Sequence, residues 1–171
     1  HDESRIEISK AMNEIELDLE QTRVELHQIR ISGHEWEAIE PGLEDVYRQC
    51  RKRMRSALGQ CDDEAFHKWR IRVKNLFYEL QTLQPVWPER LVKMVADLRQ
   101  LEENIGADHD LVVLKQSLLK TPDVFGGAKA VEHVVASLNE KSNQLRREAE
   151  PLGKAICHQT SRGFVRELGQ Y

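Results

Sequence analysis

Tyr47–Tyr78, YRQCRKRMRSALGQCDDEAFHKWRIRVKNLFY, is the stretch that decides the predicted fold. Its spacing predicts two helices joined by a short acidic turn at Gly59–Asp63. A turn this short makes the two helices antiparallel neighbours in a bundle. Apolar residues recur every three or four positions in the second helix, which predicts its core face. They are Phe66, Trp69, Val73, Leu76, Phe77 and Leu80.

Basic residues recur at helical spacing along one flank of each predicted helix, so each set forms a row. The first row consists of Arg48, Arg51 and Arg55. The second row consists of His67, Arg70 and Lys74, and Tyr78 extends it by one more turn. We expect the two rows to lie side by side, with Lys68 and Arg72 pointing to the solvent. Because like charges repel, such an arrangement indicates a binding surface for a multiply charged anion. An ordinary solvated helix surface is the alternative.

The composition favours an all-α fold, an antiparallel bundle of long helices in a single domain. Charged residues make up 32% of the chain and aromatic residues 6%, with only five prolines. The net charge is −4, yet residues 46–75 hold nine Lys and Arg against three Asp and Glu. Helical periods predict helices near residues 5–31, 62–84 and 87–119. The alternating segment Glu14–Glu20 would also fit a strand, but its helical flanks favour a helix.

The remaining motifs are weaker. The predicted third helix carries Leu91, Val95, Leu98, Leu101 and Ile105 at core spacing. Asp110 follows them, and we expect it to orient an arginine of the basic rows. A metal site at Asp108–Asp110 is disfavoured, because adjacent helical residues point in different directions. A helix over residues 128–150 and a last helix from Pro151 complete the prediction. The last helix would carry a third cationic row, formed by Lys154, His158 and Arg162.

Several classes of function are disfavoured by what the sequence lacks. It contains no glycine-rich phosphate loop, nucleophile elbow or zinc-protease motif, so we expect neither an enzyme nor a cofactor. Its three cysteines fit no zinc or disulfide framework and indicate free thiols in a reducing compartment. No apolar run is long enough to span a membrane. We therefore expect a cytoplasmic location.

Two motifs resemble the CHAD family, whose name denotes a helical domain with characteristic histidines. They are His67-x-x-Arg70-x-x-x-Lys74-x-x-x-Tyr78 and Leu101-x-x-x-Ile105-Gly106-x-x-His109-Asp110. The approach Tyr47-Arg48-x-x-Arg51 also resembles that family. The resemblance implies a helical bundle that binds inorganic polyphosphate through a basic groove, with contacts from both rows. It also implies association with polyphosphate granules.

The resemblance has gaps. The family has two helical halves, each with its own histidine motif, whereas this chain holds one. We therefore assign residues 1–31 to the tail of a first half and residues 36–171 to a second half. Phe77 and Asn75 stand where basic residues are common in the family. A homodimer or a missing N-terminal half would then complete the site.

The sequence leaves other partners and functions open. Nucleic acid is disfavoured, because binders of single strands interleave exposed aromatic residues with their charges. One alternative is a helical scaffold or protein-interaction domain whose basic row is neutralised by its own or a partner's acidic helix, for instance through Glu14, Asp18 and Glu25. A second alternative is a metal-dependent phosphohydrolase that uses Asp108 and Asp110.

Overall fold

The computed structural model describes the backbone of residues 2–28 and 35–170 and the side chains of residues 10–25 and 36–170. The described residues form α-helices, one short 3-10 helix at Pro122–Phe125, and no strand. The predicted all-α bundle is therefore confirmed. The helices are α1 (Asp2–Gln28), α2 (Glu35–Gln60), α3 (Asp63–Leu83), α4 (Pro88–Lys120), α5 (Ala128–Ile156) and α6 (Ser161–Leu168).

The chain divides into two compact units, residues 1–38 and 39–171. The first unit consists mainly of α1, which is helical through Glu14–Glu20, where the sequence pattern also fitted a strand. The side chains of residues 10–25 are exposed. The predicted end of this helix at residue 31 lies outside the described residues. The assignment of residues 1–31 and 36–171 to the two halves of a longer domain stays a prediction.

The second unit is built from α2, α3, α4 and α5, which short connections make antiparallel, followed by α6. All six predicted core residues of α3 are buried. Leu91, Val95, Leu98, Leu101 and Ile105 of α4 are buried as well, as their spacing predicts. Helical periodicity therefore identified the inner faces of both helices correctly.

The connection between α2 and α3 is as short as the sequence predicts. Cys61 adopts a left-handed conformation with a φ of 56°, which reverses the chain direction. Asp62 then caps α3, since its Oδ1 accepts a hydrogen bond from the backbone nitrogen of Ala65 at 2.7 Å. This corner fixes which flank of α3 meets α2 and which flank meets α4.

Three helices meet in the core at Gly153 of α5. A Cβ atom at this position would lie 2.5 Å from Trp69 of α3 and 3.2 Å from Sδ of Met54 of α2. The absence of a side chain at Gly153 therefore lets the buried indole ring of Trp69 pack directly against the backbone of α5.

Two prolines lie inside helices, although the sequence predicts that the second of them starts a helix. Pro41 is within α2, which starts at Glu35, and Pro151 is within α5, which runs to Ile156. A proline in a helix interior costs about 3 kcal/mol relative to alanine. Burial of Leu43 after the first proline and of Ile156 after the second offsets this cost. The predicted start of the last helix at Pro151 is therefore wrong.

Candidate anion-binding surfaces

The second basic row lies along the flank of α3 that faces α4. The imidazole rings of His67 and His109 are in contact, with centroids 4.7 Å apart and ring planes tilted by 33°. One turn further along α3, Nε of Arg70 lies 3.8 Å from the position that a Cβ of Gly106 would occupy. We call this surface the α3–α4 groove. It is lined by His67, Arg70, Lys74 and Tyr78 of α3 and by Arg99, Glu102, Gly106 and His109 of α4.

Arg70 has the most unusual surroundings in the α3–α4 groove. Its Nε is buried and has no hydrogen-bond partner. Its guanidinium forms no ion pair with any described residue, although Glu102 lies on the opposite helix. A buried donor without a partner costs roughly 1–3 kcal/mol, so an anion that accepted this hydrogen bond would be favoured.

Aromatic and cationic groups alternate at the other end of the α3–α4 groove. Nζ of Lys74 lies 5.9 Å from the ring centroid of Tyr78, which is exposed. Cζ of Arg99 lies 5.7 Å from the ring centroid of Phe77. Arg99 thus places a cation from α4 beside Phe77. Arg99 was not among the predicted site residues, although helical spacing puts it on the flank of α4 that carries His109.

The first basic row lies on a different side of the bundle. Nε of Arg51 donates to the carbonyl oxygen of Cys157, which follows α5, at 3.3 Å. A cavity of about 240 Å³ opens beside this row and α6. We call it the α2–α6 cavity. It is lined by Arg48, Arg51, Lys52, Arg55 and Ser161.

The expectation that the two rows lie side by side is therefore wrong. The flanks that α2 and α3 turn towards each other carry other residues. Glu79 on α3 lies near Asp45 on α2. Burial raises the pKa of the Glu79 carboxyl, and the negative charge of Asp45 raises it further. Arg72, predicted to be solvent-facing, is half-buried on this flank of α3. Lys68 is exposed as predicted and pairs with Glu64.

The third predicted row does not exist on one helix face. Lys154 belongs to α5 and pairs with Glu150 at 2.6 Å. His158 lies in the connection to α6, and Nε of Arg162 on α6 lies 3.9 Å from Glu44. Because α5 ends at Ile156, the helical spacing that linked the three residues is interrupted.

A buried ion cluster joins α3, α4 and α5. Nε of Arg146 lies 3.0 Å from both carboxylate oxygens of Asp108, and its Nη2 lies 2.7 Å from Oδ1 of Asp63. Nζ of Lys115 contacts the other oxygen of Asp63 at 2.9 Å. Ser142 donates a hydrogen bond to Asp108. The guanidinium of Arg146 also lies over the ring of Phe66, 4.6 Å from its centroid.

Electrostatics within the ion cluster favour the charged forms. Burial alone would raise the pKa of Asp63, but hydrogen bonds from Arg146 and Lys115 lower it overall. Burial alone would lower the pKa of Arg146, but hydrogen bonds to Asp63 and Asp108 raise it. Two carboxylates and two cations thus neutralise one another.

The sequence analysis assigned the orienting role to Asp110. In the structure Asp110 is exposed and forms no ion pair with a described residue. Asp108 holds an arginine instead, and that arginine is Arg146 of α5 rather than a member of a basic row. A signal was present, because Asp108 continues the core spacing of Leu101 and Ile105, and a carboxylate on a core face needs a buried partner.

The described residues offer neither a metal-binding cluster nor a membrane-spanning helix. No three His, Cys, Asp or Glu side chains among them lie close enough together to hold a metal ion. No helix within residues 2–28 and 35–170 has the length and apolar character needed to cross a membrane.

Comparisons with known proteins give one match. The family model described as the CHAD domain matches residues 8–119, which include α2, α3 and nearly all of α4. No curated protein and no solved structure matches the chain. The matched segment contains both the α3–α4 groove and the cationic residues of the α2–α6 cavity.

Proposed function

Since this chain belongs to the CHAD family, we propose that it binds inorganic polyphosphate in the α3–α4 groove and catalyses no reaction on it. The observation that carries the proposal is Arg70, whose buried Nε has no partner and whose charge has no carboxylate within ion-pair distance among the described residues. Lys74, one turn away, also forms no ion pair with a described residue. Lys68, on the same helix, is paired with Glu64.

The chemistry of the row favours a polymer of phosphates over a single phosphate or a nucleic acid. Phosphate oxygens accept charge-assisted hydrogen bonds from both Arg and Lys. Successive phosphates of one chain can engage Arg70 and Lys74 together, so the second contact is intramolecular and the affinity rises. Trp69 is buried and Tyr78 is the exposed aromatic residue of the row, which leaves little surface for stacking bases.

Substitution of the groove cations tests the proposal. In titrations with polyphosphate of defined length, Arg70→Gln or Lys74→Gln should weaken binding about tenfold or more, since a charge-assisted contact is worth roughly 1.5–3 kcal/mol. Lys68→Gln is the matched control on the same helix, because Lys68 is exposed and paired with Glu64. It should change the affinity less than threefold. Affinity should also fall steeply with salt through counterion release.

Three outcomes would contradict the proposal. Equal losses in Arg70→Gln and Lys68→Gln would indicate a diffuse basic surface rather than a site. Equal affinity for orthophosphate and polyphosphate would remove the polymer from the proposal. Release of orthophosphate from polyphosphate by the purified protein with Mg²⁺ would show an enzyme.

An interaction domain is the second candidate, and α1 favours it. Its described side chains are exposed and include apolar residues, among them Met12, Leu17 and Leu19, beside five acidic residues at positions 14, 16, 18, 20 and 25. If an acidic helix neutralised the basic row, the protein would not bind polyphosphate even at low salt. The titration described above therefore separates the two candidates.

A further inference from the structure

The α2–α6 cavity brings several cations together away from the α3–α4 groove. Arg48, Lys52 and Arg55 line it at helical spacing, with Arg51 beside them and Ser161 across from them at the start of α6. The volume of about 240 Å³ is that of a small ligand rather than of a single water.

The charges around this cavity are not balanced. Asp45 pairs with Arg48, and Glu44 accepts the hydrogen bond of Ser161 and lies 3.9 Å from Arg162. Arg51, Lys52 and Arg55 form no ion pair with any described residue. Three cations within five consecutive residues therefore share one cavity without a counter-charge, which favours a ligand with several negative charges.

The wall of the cavity is held in place by α5. The hydrogen bond from Arg51 to the carbonyl oxygen of Cys157 fixes the arginine against the end of that helix. One turn before Arg51, the buried Tyr47 donates to the carbonyl oxygen of Ile156 at 2.8 Å and stacks on Phe164 of α6 with ring centroids 4.2 Å apart. Because these contacts order the cavity before a ligand arrives, less ordering entropy is lost on binding.

We infer that the α2–α6 cavity is a second anion site, which takes a short segment of polyphosphate independently of the α3–α4 groove. This inference rests on the proposed function for the identity of its ligand. The two sites lie on different flanks of the α2–α3 hairpin, since α2 packs on α6 beside the cavity and α3 packs on α4 beside the groove. A long polyphosphate chain can therefore engage one site on each of two copies of the protein, as well as both sites of one copy.

Calorimetric titration with tripolyphosphate, which is too short to reach both sites, tests the inference. The wild-type protein should bind two equivalents. Lys52→Gln/Arg55→Gln changes two exposed side chains and should leave one equivalent, at the α3–α4 groove. Arg70→Gln/Lys74→Gln should also leave one equivalent, at the α2–α6 cavity. Lys93→Gln/Lys120→Gln removes two exposed charges of α4 and should keep two equivalents. Circular dichroism confirms that each variant is folded.

Light scattering with polyphosphate of about a hundred units tests the linking of copies. The wild-type protein should form cross-linked networks that scatter light, because each copy has two binding sites. Lys52→Gln/Arg55→Gln and Arg70→Gln/Lys74→Gln each keep one site, so these variants should bind along single polyphosphate chains without linking them and scatter at least tenfold less.

The outcomes separate failure of this inference from failure of the proposed function. One equivalent in the wild-type protein that Arg70→Gln/Lys74→Gln abolishes would overturn the second site and leave the proposed function standing. One equivalent that only Lys52→Gln/Arg55→Gln abolishes would support the cavity as a site and overturn the α3–α4 groove. No binding of tripolyphosphate would overturn the second site as a site for a short segment, and the titration with long polyphosphate would then decide the proposed function by itself.

Discussion

The ion cluster and the α3–α4 groove use the same types of residue along α3 and α4, with Arg146 of α5 added in the cluster, yet they differ in one respect. Asp63 of the cluster lies one turn before His67 of the groove, and Asp108 directly precedes His109. In the cluster every cation has a carboxylate, whereas in the groove Arg70 has none among the described residues. The position of the carboxylates, rather than of the basic residues, distinguishes a structural ion pair from a binding surface.

The largest effect expected from this comparison is a loss of stability on substitution of Arg146. Arg146→Ala leaves the carboxylate of Asp108, which is 3% exposed, without its cation. Breaking a buried pair in this way costs about 3–5 kcal/mol. Urea denaturation should therefore show a large decrease in the free energy of unfolding.

The matched control is Arg147→Ala. Arg147 is exposed, so its replacement should change the unfolding free energy by less than about 0.5 kcal/mol. Folded Arg146→Ala protein should keep its affinity for polyphosphate, because the charge of Arg146 is already neutralised. Weaker binding by folded Arg146→Ala protein would show that the cluster and the groove are not separate.

A smaller effect is expected from the pH dependence of the cluster. The pKa of Asp63 is lowered in the folded state, so its contribution to stability is present above the unfolded value of about 3.9 and is lost as pH falls through the folded value. Its side chain is 38% exposed, which limits this contribution to about 1 kcal/mol. The urea midpoint of Asp63→Asn should fall less than that of the wild-type protein below about pH 4. Parallel curves would contradict a charged Asp63 in the cluster.

The sequence predicted which residues of each helix face the core, because that depends on spacing alone. Phe66, Trp69 and Val73 share one face at 100° per residue, and all three are buried. The same spacing placed Arg48, Arg51 and Arg55 on one flank correctly. It could not show which neighbouring helix covers that flank.

That choice depends on contacts between residues far apart in the chain. The hydrogen bond of Arg51 to Cys157 and the stacking of Tyr47 on Phe164 bring α5 and α6 to one side of α2. The first basic row therefore lies on the flank of α2 beside α5 and α6, whereas the second lies on the flank of α3 beside α4. The continuation of α5 past Pro151 has the same origin, since packing of Gly153 against Trp69 outweighs a local helix-breaking preference.

The smallest loss of stability is expected for an Arg70 variant, and it is the sharpest test of the comparison. Arg70→Met keeps most of the aliphatic stem and removes a buried donor that has no partner in the absence of a ligand. Because no hydrogen bond or ion pair with a described residue is lost and an unpartnered buried donor is itself costly, the unfolding free energy should stay the same or rise. Relief of the repulsion between Arg70 and Lys74 acts in the same direction.

With polyphosphate present, the two proteins should separate. A ligand that binds only the folded state raises the melting temperature in proportion to its affinity, so the wild-type protein should gain more than Arg70→Met. A loss of about 2 kcal/mol in the ligand-free variant would instead show that Arg70 has a structural partner, as Arg146 does. The lack of an ion pair at Arg70 among the described residues would then no longer distinguish the groove from the ion cluster.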